Sequence, residues 1–185
     1  IIGWDYNWSH TYGASKRLYP EFEQKVIEVL PDGTKRIQNS YGVIEKVRPG
    51  VVSIPAEDDY LLKDRKAFEE LYKPRMQFFP ERVNYDFFRT FNEKVYEKLD
   101  VPVGISAGSI LGTIRNMTSL VGLSYLIYDE DEDLLADIVD TYADMQYKCL
   151  EEVLKTGAKF DFAHYWEDVC YKGGPLISPE IFNKL

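Results

Sequence analysis

The sequence is poor in cysteine and histidine, with two of each among 185 residues. Cys149 and Cys170 lie too far apart for a CxxC pair, and two thiols make no disulfide framework. That usage implies a cytoplasmic, reducing setting in which both stay thiols. Cationic side chains are also in deficit. Lys and Arg number 22 against 31 Asp and Glu, for a net charge of −9. A surface of that sign repels phosphate backbones, and no basic patch with interleaved aromatics occurs, so nucleic acid is excluded as a partner. No apolar run approaches the about 20 residues of a membrane-spanning helix, and no signal-peptide pattern is present, so no membrane is expected. Neither GxGxxG nor GxxxxGKS/T occurs, which removes the nucleotide fingerprints. The acidic run Asp129 to Asp133 lacks the spacing and the glycine of an EF-hand loop and reads as a solvated helix start.

What is present is a packed globular composition: 45% hydrophobic residues, 15% aromatic, and 14 tyrosines. A buried tyrosine needs a partner for its hydroxyl, which predicts tyrosines at a polar cleft or at the rim of the core. Residues 1–20 show no period and read as a loop. Residues 22–30 alternate, Pro31-Asp32-Gly33-Thr34 is a turn, and residues 35–47 alternate again before the turn at Pro49-Gly50. This predicts an antiparallel β-ribbon over residues 20–56. Asp64 caps a short helix over 65–73. Val83, Phe87, Phe88, Phe91, Val95 and Leu99 fall near i, i+4 spacing, which predicts one amphipathic helix over 81–99.

Val101 to Ser106 is a β-branched run ending in small residues, read as a buried parallel strand. A helix over 109–127 follows, with a break near Thr118-Ser119. The longest helix is predicted over 131–155, closed by Gly157. Phe160 to His164 is a second short strand, and Ser178-Pro179 opens a last helix. Strands alternating with helices imply parallel pairing, in either a (β/α)8 barrel or an open doubly wound sheet, and two strands are too few to complete either. The chain opens on Ile1 rather than Met and stops at Leu185, within about two turns of that last helix start. A terminal helix so short is marginal, so the expectation is a chain that continues at both ends.

In parallel α/β folds reacting groups gather where strands end. Two such places are predicted. The first is Ser106-Ala107-Gly108-Ser109, where small residues let a ligand approach the backbone. The second is His164-Tyr165-Trp166-Glu167-Asp168. It brings an imidazole, a phenol, an indole and two carboxylates within five residues, the groups that general acid–base chemistry needs. His10 stands alone and reads as a surface residue, and Cys170 has no base fixed beside it.

The stretch from Glu167 through Lys172-Gly173-Gly174-Pro175 to Ser178-Pro179-Glu180-Ile181-Phe182 resembles a signature of the uroporphyrinogen decarboxylase superfamily. Val103-Gly104-Ile105-Ser106-Ala107-Gly108, the segment Asp129 to Tyr142, and Thr156-Gly157-Ala158 are similar to further family segments. The resemblance covers roughly residues 50–185. It implies an α/β fold, a partial (β/α)8 TIM barrel over residues 61–185. The N-terminal antiparallel β-ribbon, with its loop, decorates that barrel over residues 1–60.

It also implies an enzyme in the full-length parent, with this chain alone inactive because a barrel site needs loops from many strands, and two departures choose among its branches. Asn116 stands where the decarboxylases carry a tyrosine, and Trp166-Glu167-Asp168 stands where they carry a Phe-Asp-Ser motif. A carboxylate there repels a polyanionic tetrapyrrole, so a corrinoid-dependent methyltransferase-like protein is expected first. Uroporphyrinogen decarboxylase itself and a non-catalytic binding or assembly module are the alternatives. Asp168, Glu167 and His164 are the expected catalytic groups, and Ser106, Gly108, Asn116 and Trp166 the substrate-binding ones. The family's His-x-Cys zinc ligands are absent from this chain, so no metal or cofactor is expected within it. Corrinoid and zinc belong to a full-length parent. The expected partners are a small-molecule or corrinoid-bound substrate and a second copy of the chain as a homodimer.

Overall fold

The computed structural model describes residues 8–128 and 132–184. The start of the N-terminal loop and residues 129–131 of the acidic run lie outside the described residues. A 3-10 turn at Trp8–His10 leads into β1 (Thr11–Tyr12). Four strands follow, β2 (Lys25–Val29), β3 (Lys35–Gln38), β4 (Val43–Val47) and β5 (Ala56–Tyr60). Next come α1 (Arg65–Ala67), a π turn at Phe68–Tyr72 and a 3-10 turn at Lys73–Met76. The turn Pro80–Arg82 precedes α2 (Tyr85–Arg89), α3 (Phe91–Lys94) and the turn Tyr96–Lys98. The remainder is β6 (Gly104–Gly108), α4 (Leu111–Tyr128), α5 (Glu132–Lys155), β7 (Phe162–Tyr165), a small hairpin of β8 (Cys170–Tyr171) and β9 (Gly174–Pro175), and α6 (Pro179–Lys184). Among the described residues no helix is long and apolar enough to cross a membrane.

The chain divides into two compact units. The first comprises residues 1–16, 78–109 and 142–167. Its sheet has the order β1-β6-β7, parallel throughout. Ile105 faces Ala163 and Ser106 faces His164 in the register. Gly104 lets the strands close: a Cβ there would lie 2.5 Å from the Phe162 ring. Val83, Phe88, Phe91, Val103, Ile105, Val153 and Ala158 form its buried core. The Phe91 ring lies 5.0 Å from that of Phe160 and 5.1 Å from that of Tyr12. Asp161 ties the strand starts together, accepting the Val103 amide (2.8 Å) and the Tyr96 hydroxyl (2.8 Å). Those two donors, the backbone one first, hold its carboxyl below the usual carboxylate range.

The second unit comprises residues 17–77, 110–141 and 168–185. Its sheet is antiparallel, in the order β2-β3-β4-β5. The expected turn forms at Gly33, whose φ of 81° suits glycine, and Asp32 accepts the Thr34 amide at 3.0 Å. Arg36 reaches Glu28 (3.0 Å) on one side and Asp58 (2.7 Å) on the other, and Lys46 pairs with the same aspartate. In α4 the expected break is real: Ser119 sits at φ 62°, ψ 171°, and its hydroxyl accepts the Gly122 amide at 3.2 Å. Ser119 therefore caps a new helical start.

Two expectations are corrected. No TIM barrel forms. Among the described residues only β1, β6 and β7 pair in parallel, and their sheet ends at β1 and β7 instead of closing. A barrel needs eight such strands. The four ribbon strands form a sheet of their own, giving a mixed α/β architecture of three sheets. The single helix over 81–99 is also replaced by two short helices and two 3-10 turns. Asn84 caps α2 by accepting the Phe87 amide (3.0 Å), and Thr90 ends it, its hydroxyl donating back to the Asp86 carbonyl (3.1 Å). Aromatic and β-branched residues favour helix weakly, so ring packing rather than helical period decides this segment. Phe91 is 0% exposed at the centre of that packing. Phe91→Ala is expected to cost about 3–5 kcal/mol of unfolding free energy, measured by urea denaturation.

Candidate functional site

In the first unit, β6 and β7 run side by side, so the residues that follow them emerge at the same end of the sheet. Pairing extends past the strands, with the Trp166 amide donating to the Gly108 carbonyl at 2.9 Å. Beyond it Ser109 Oγ donates to Glu167 Oε2 at 2.9 Å. The two predicted tips are thus joined by a side-chain hydrogen bond as well as by backbone. Gln146 of α5 donates to the Ser109 carbonyl at 2.9 Å and is itself buried. Gly108 has φ 94°, and a Cβ there would lie 2.7 Å from Lys16 Cδ and 3.1 Å from the Gln146 amide. Only glycine fits at that point. His164 is half-buried and Trp166 is exposed.

Lys16 stands in no chemical motif, yet it reaches β6. Its Nζ donates to the Ser106 carbonyl at 2.6 Å and to the Ala14 carbonyl at 3.4 Å. Tyr142 fixes the backbone there, its hydroxyl donating to the Lys16 carbonyl at 2.7 Å. Burial pushes the Lys16 amine below the usual lysine range, with the nearby Cys149 thiol opposing. Burial also raises the Cys149 thiol above its ordinary value, against the pull of Arg82 and Lys16. Cys149 is thus a protonated core residue and not a nucleophile. The one available signal for Lys16 was the small-residue run Gly13-Ala14-Ser15 before it. Gly13 packs on Ser106, where a Cβ would lie 2.9 Å from the carbonyl oxygen.

Two of the expected residues belong to the second unit. Asp168 Oδ2 accepts from Arg115 Nη1 and Nη2, each at 3.3 Å. Arg115 and Asn116 are consecutive in α4 and line a groove of about 650 Å³ together with Asp168, Cys170 and Tyr171. Glu57 borders the same groove and accepts the Leu120 amide at 3.2 Å. The structure therefore joins Ser106, Gly108, His164, Trp166 and Glu167 at one strand end, and places Asn116 with Asp168 in a groove of the other unit. His10 is half-buried rather than a surface residue, and its Nδ1 has no hydrogen-bond partner among the described residues.

Ionisation of Lys16 makes a pH-dependent contribution whose sign is fixed. Its folded pKa lies below the ordinary value near 10.5. Between the two, the unfolded chain binds more protons, so Lys16 makes stability rise with pH. Lys16→Met removes that contribution. The stability of the wild type minus that of Lys16→Met is expected to increase from neutral pH towards the ordinary lysine range in urea titrations. A difference independent of pH contradicts it.

No protein-family model matches the chain, and neither a curated protein nor a solved structure does.

Proposed function

We propose that this chain carries the substrate-handling groups of an enzyme in the methyltransferase-like branch of the uroporphyrinogen decarboxylase superfamily. Its substrate is a small molecule or a corrinoid-borne methyl group. The observation that carries the reading is the hydrogen bond from Ser109 to Glu167 across the ends of two parallel strands (2.9 Å). Strand ends of this kind collect reacting groups because the backbone there is rigid while the loops stay variable. Glu167 is half-buried and oriented by a hydroxyl donor, the placement that a general base requires.

In methyl transfer to a thiol, the methyl group leaves its donor as a methyl cation equivalent. The new bond forms to sulfur, and the thiol proton passes to a base. Glu167 is that base, and His164 stands three residues earlier, on the strand that leads to it. A corrinoid supplies the methyl group as substrate. Among the described residues no group of three or more His, Cys, Asp or Glu side chains converges to hold a metal. The residues present do not fit the zinc implied by the resemblance, and no step above uses one. The thiols of Cys149 and Cys170 are unpaired, which suits a cytoplasmic setting. Decarboxylation of a polyanion is disfavoured by the Glu167 carboxylate itself, which repels a polyanionic substrate.

Demethylation of methylcobalamin in the presence of a small thiol, followed by the corrinoid's absorbance, tests the reading. Transfer is expected with the full-length wild type and is expected to fall about 10²–10⁴-fold in its Glu167→Gln variant. Carbon dioxide release from uroporphyrinogen, or no transfer with any corrinoid, contradicts it.

A further inference from the structure

We infer that the groove of the second unit is a binding site for a small monocarboxylate, with Arg115 as its anchor and Asp168 as an internal stand-in for the ligand's head group. This does not depend on the reaction proposed above. It concerns which ligand the groove holds, whatever chemistry follows.

Arg115 carries the argument. Its side chain is only 23% exposed, yet its sole partner among the described residues is one oxygen of Asp168. A guanidinium offers five N–H donors in a planar fork that matches a carboxylate through two short parallel bonds. Charge-assisted bonds of that kind run near 2.7–2.9 Å in general. Here both Nη atoms share Oδ2 at 3.3 Å, an end-on and long contact. Most of the fork's capacity is unused. Asp168 is 47% exposed and can turn away into solvent, which the withdrawn arginine cannot.

The surroundings select the ligand. Asn116, the next residue of α4, lines the groove, and its side-chain amide has no hydrogen-bond partner among the described residues. Its amide adds a neutral donor to the lining. Leu120, Leu176 and Tyr171 supply an apolar wall with one hydroxyl. A volume of about 650 Å³ suits a small organic molecule. Charge sets the upper limit. Glu45 and Glu57 also border the groove, and both are engaged, by Asn39 (2.7 Å) and by the Leu120 amide (3.2 Å). They stay in place when a ligand binds. A monocarboxylate that displaces Asp168 exchanges one negative charge for another, whereas a phosphate dianion or a polyacid adds charge beside two fixed carboxylates. An organic cation would leave the arginine fork unused.

Hexanoate, succinate, inorganic phosphate and hexylammonium, titrated into the chain by calorimetry, test the inference. Hexanoate is expected to bind best. Asp168→Asn, which removes the competing carboxylate, is expected to tighten hexanoate binding. Arg115→Lys, which keeps the charge but loses the fork, is expected to weaken it about tenfold or more, in line with the loss of a bidentate charge-assisted contact. If Arg115→Lys does not fold, the comparison of wild type with Asp168→Asn decides alone. Phosphate or hexylammonium binding as tightly as hexanoate overturns the inference. So does hexanoate binding that is absent, or that Asp168→Asn weakens, since a purely structural Arg115–Asp168 brace predicts no gain.

Discussion

The backbone pairing of β6 with β7 is the constraint on which the rest depends. Two parallel strands cannot be joined by a tight turn, so the chain between them must make a long crossover, here α4 and α5. Parallel pairing also forces both strands to end on the same side. Ser109 and Glu167, distant in sequence, meet for that reason alone. An antiparallel arrangement of the same two strands would carry their ends apart and dissolve the site. Glycine makes the pairing possible twice, at Gly104 under the Phe162 ring and at Gly108 against Lys16 and Gln146.

Polar groups around this end are held by protein rather than left to water. Lys16 illustrates the balance. Its amine is withdrawn from solvent with carbonyl oxygens as hydrogen-bond partners, and the depressed pKa expresses the unfavourable burial of a cation. The compensation is geometric: one side chain fastens the loop after β1 to the strand beside it. In the second unit Arg115 shows the opposite imbalance. A cation with a fork for two bonds has only one oxygen to share. The first arrangement closes a structure, and the second leaves one open to exchange.

Sequence patterns revealed the elements whose signals are local. Alternation plus Pro31-Asp32-Gly33-Thr34 gave the ribbon, because turn chemistry and strand period act within a few residues. Asp64 and Ser178 cap helices as their residue types imply, accepting the Ala67 and Ile181 amides at 2.7 and 3.2 Å. The break at Ser119 and the closure at Gly157 (φ 84°) were legible too. What escaped depends on distant partners. β1 is two residues long and exists only because β6 lies beside it. β5, Ala-Glu-Asp-Asp-Tyr, has no strand-like pattern and is stabilised by its β4 neighbour and by Arg36 and Lys46 on Asp58. The barrel was implied by the family resemblance; helix–strand alternation alone asks only for parallel pairing, which a three-stranded parallel sheet satisfies. Among the site residues, the carboxylates and small residues at the strand ends could be named because their position follows from topology. Lys16 and Arg115 could not, since neither stands in a motif.

The parallel register of β6 and β7 is therefore the claim to measure. Backbone proton NOEs in the labelled chain would report it directly. Close contacts between Ile105 and Ala163 and between Ser106 and His164, running in the same sequence direction, are what the account predicts. Contacts that run in opposite directions along the two segments, or none between them, would contradict it.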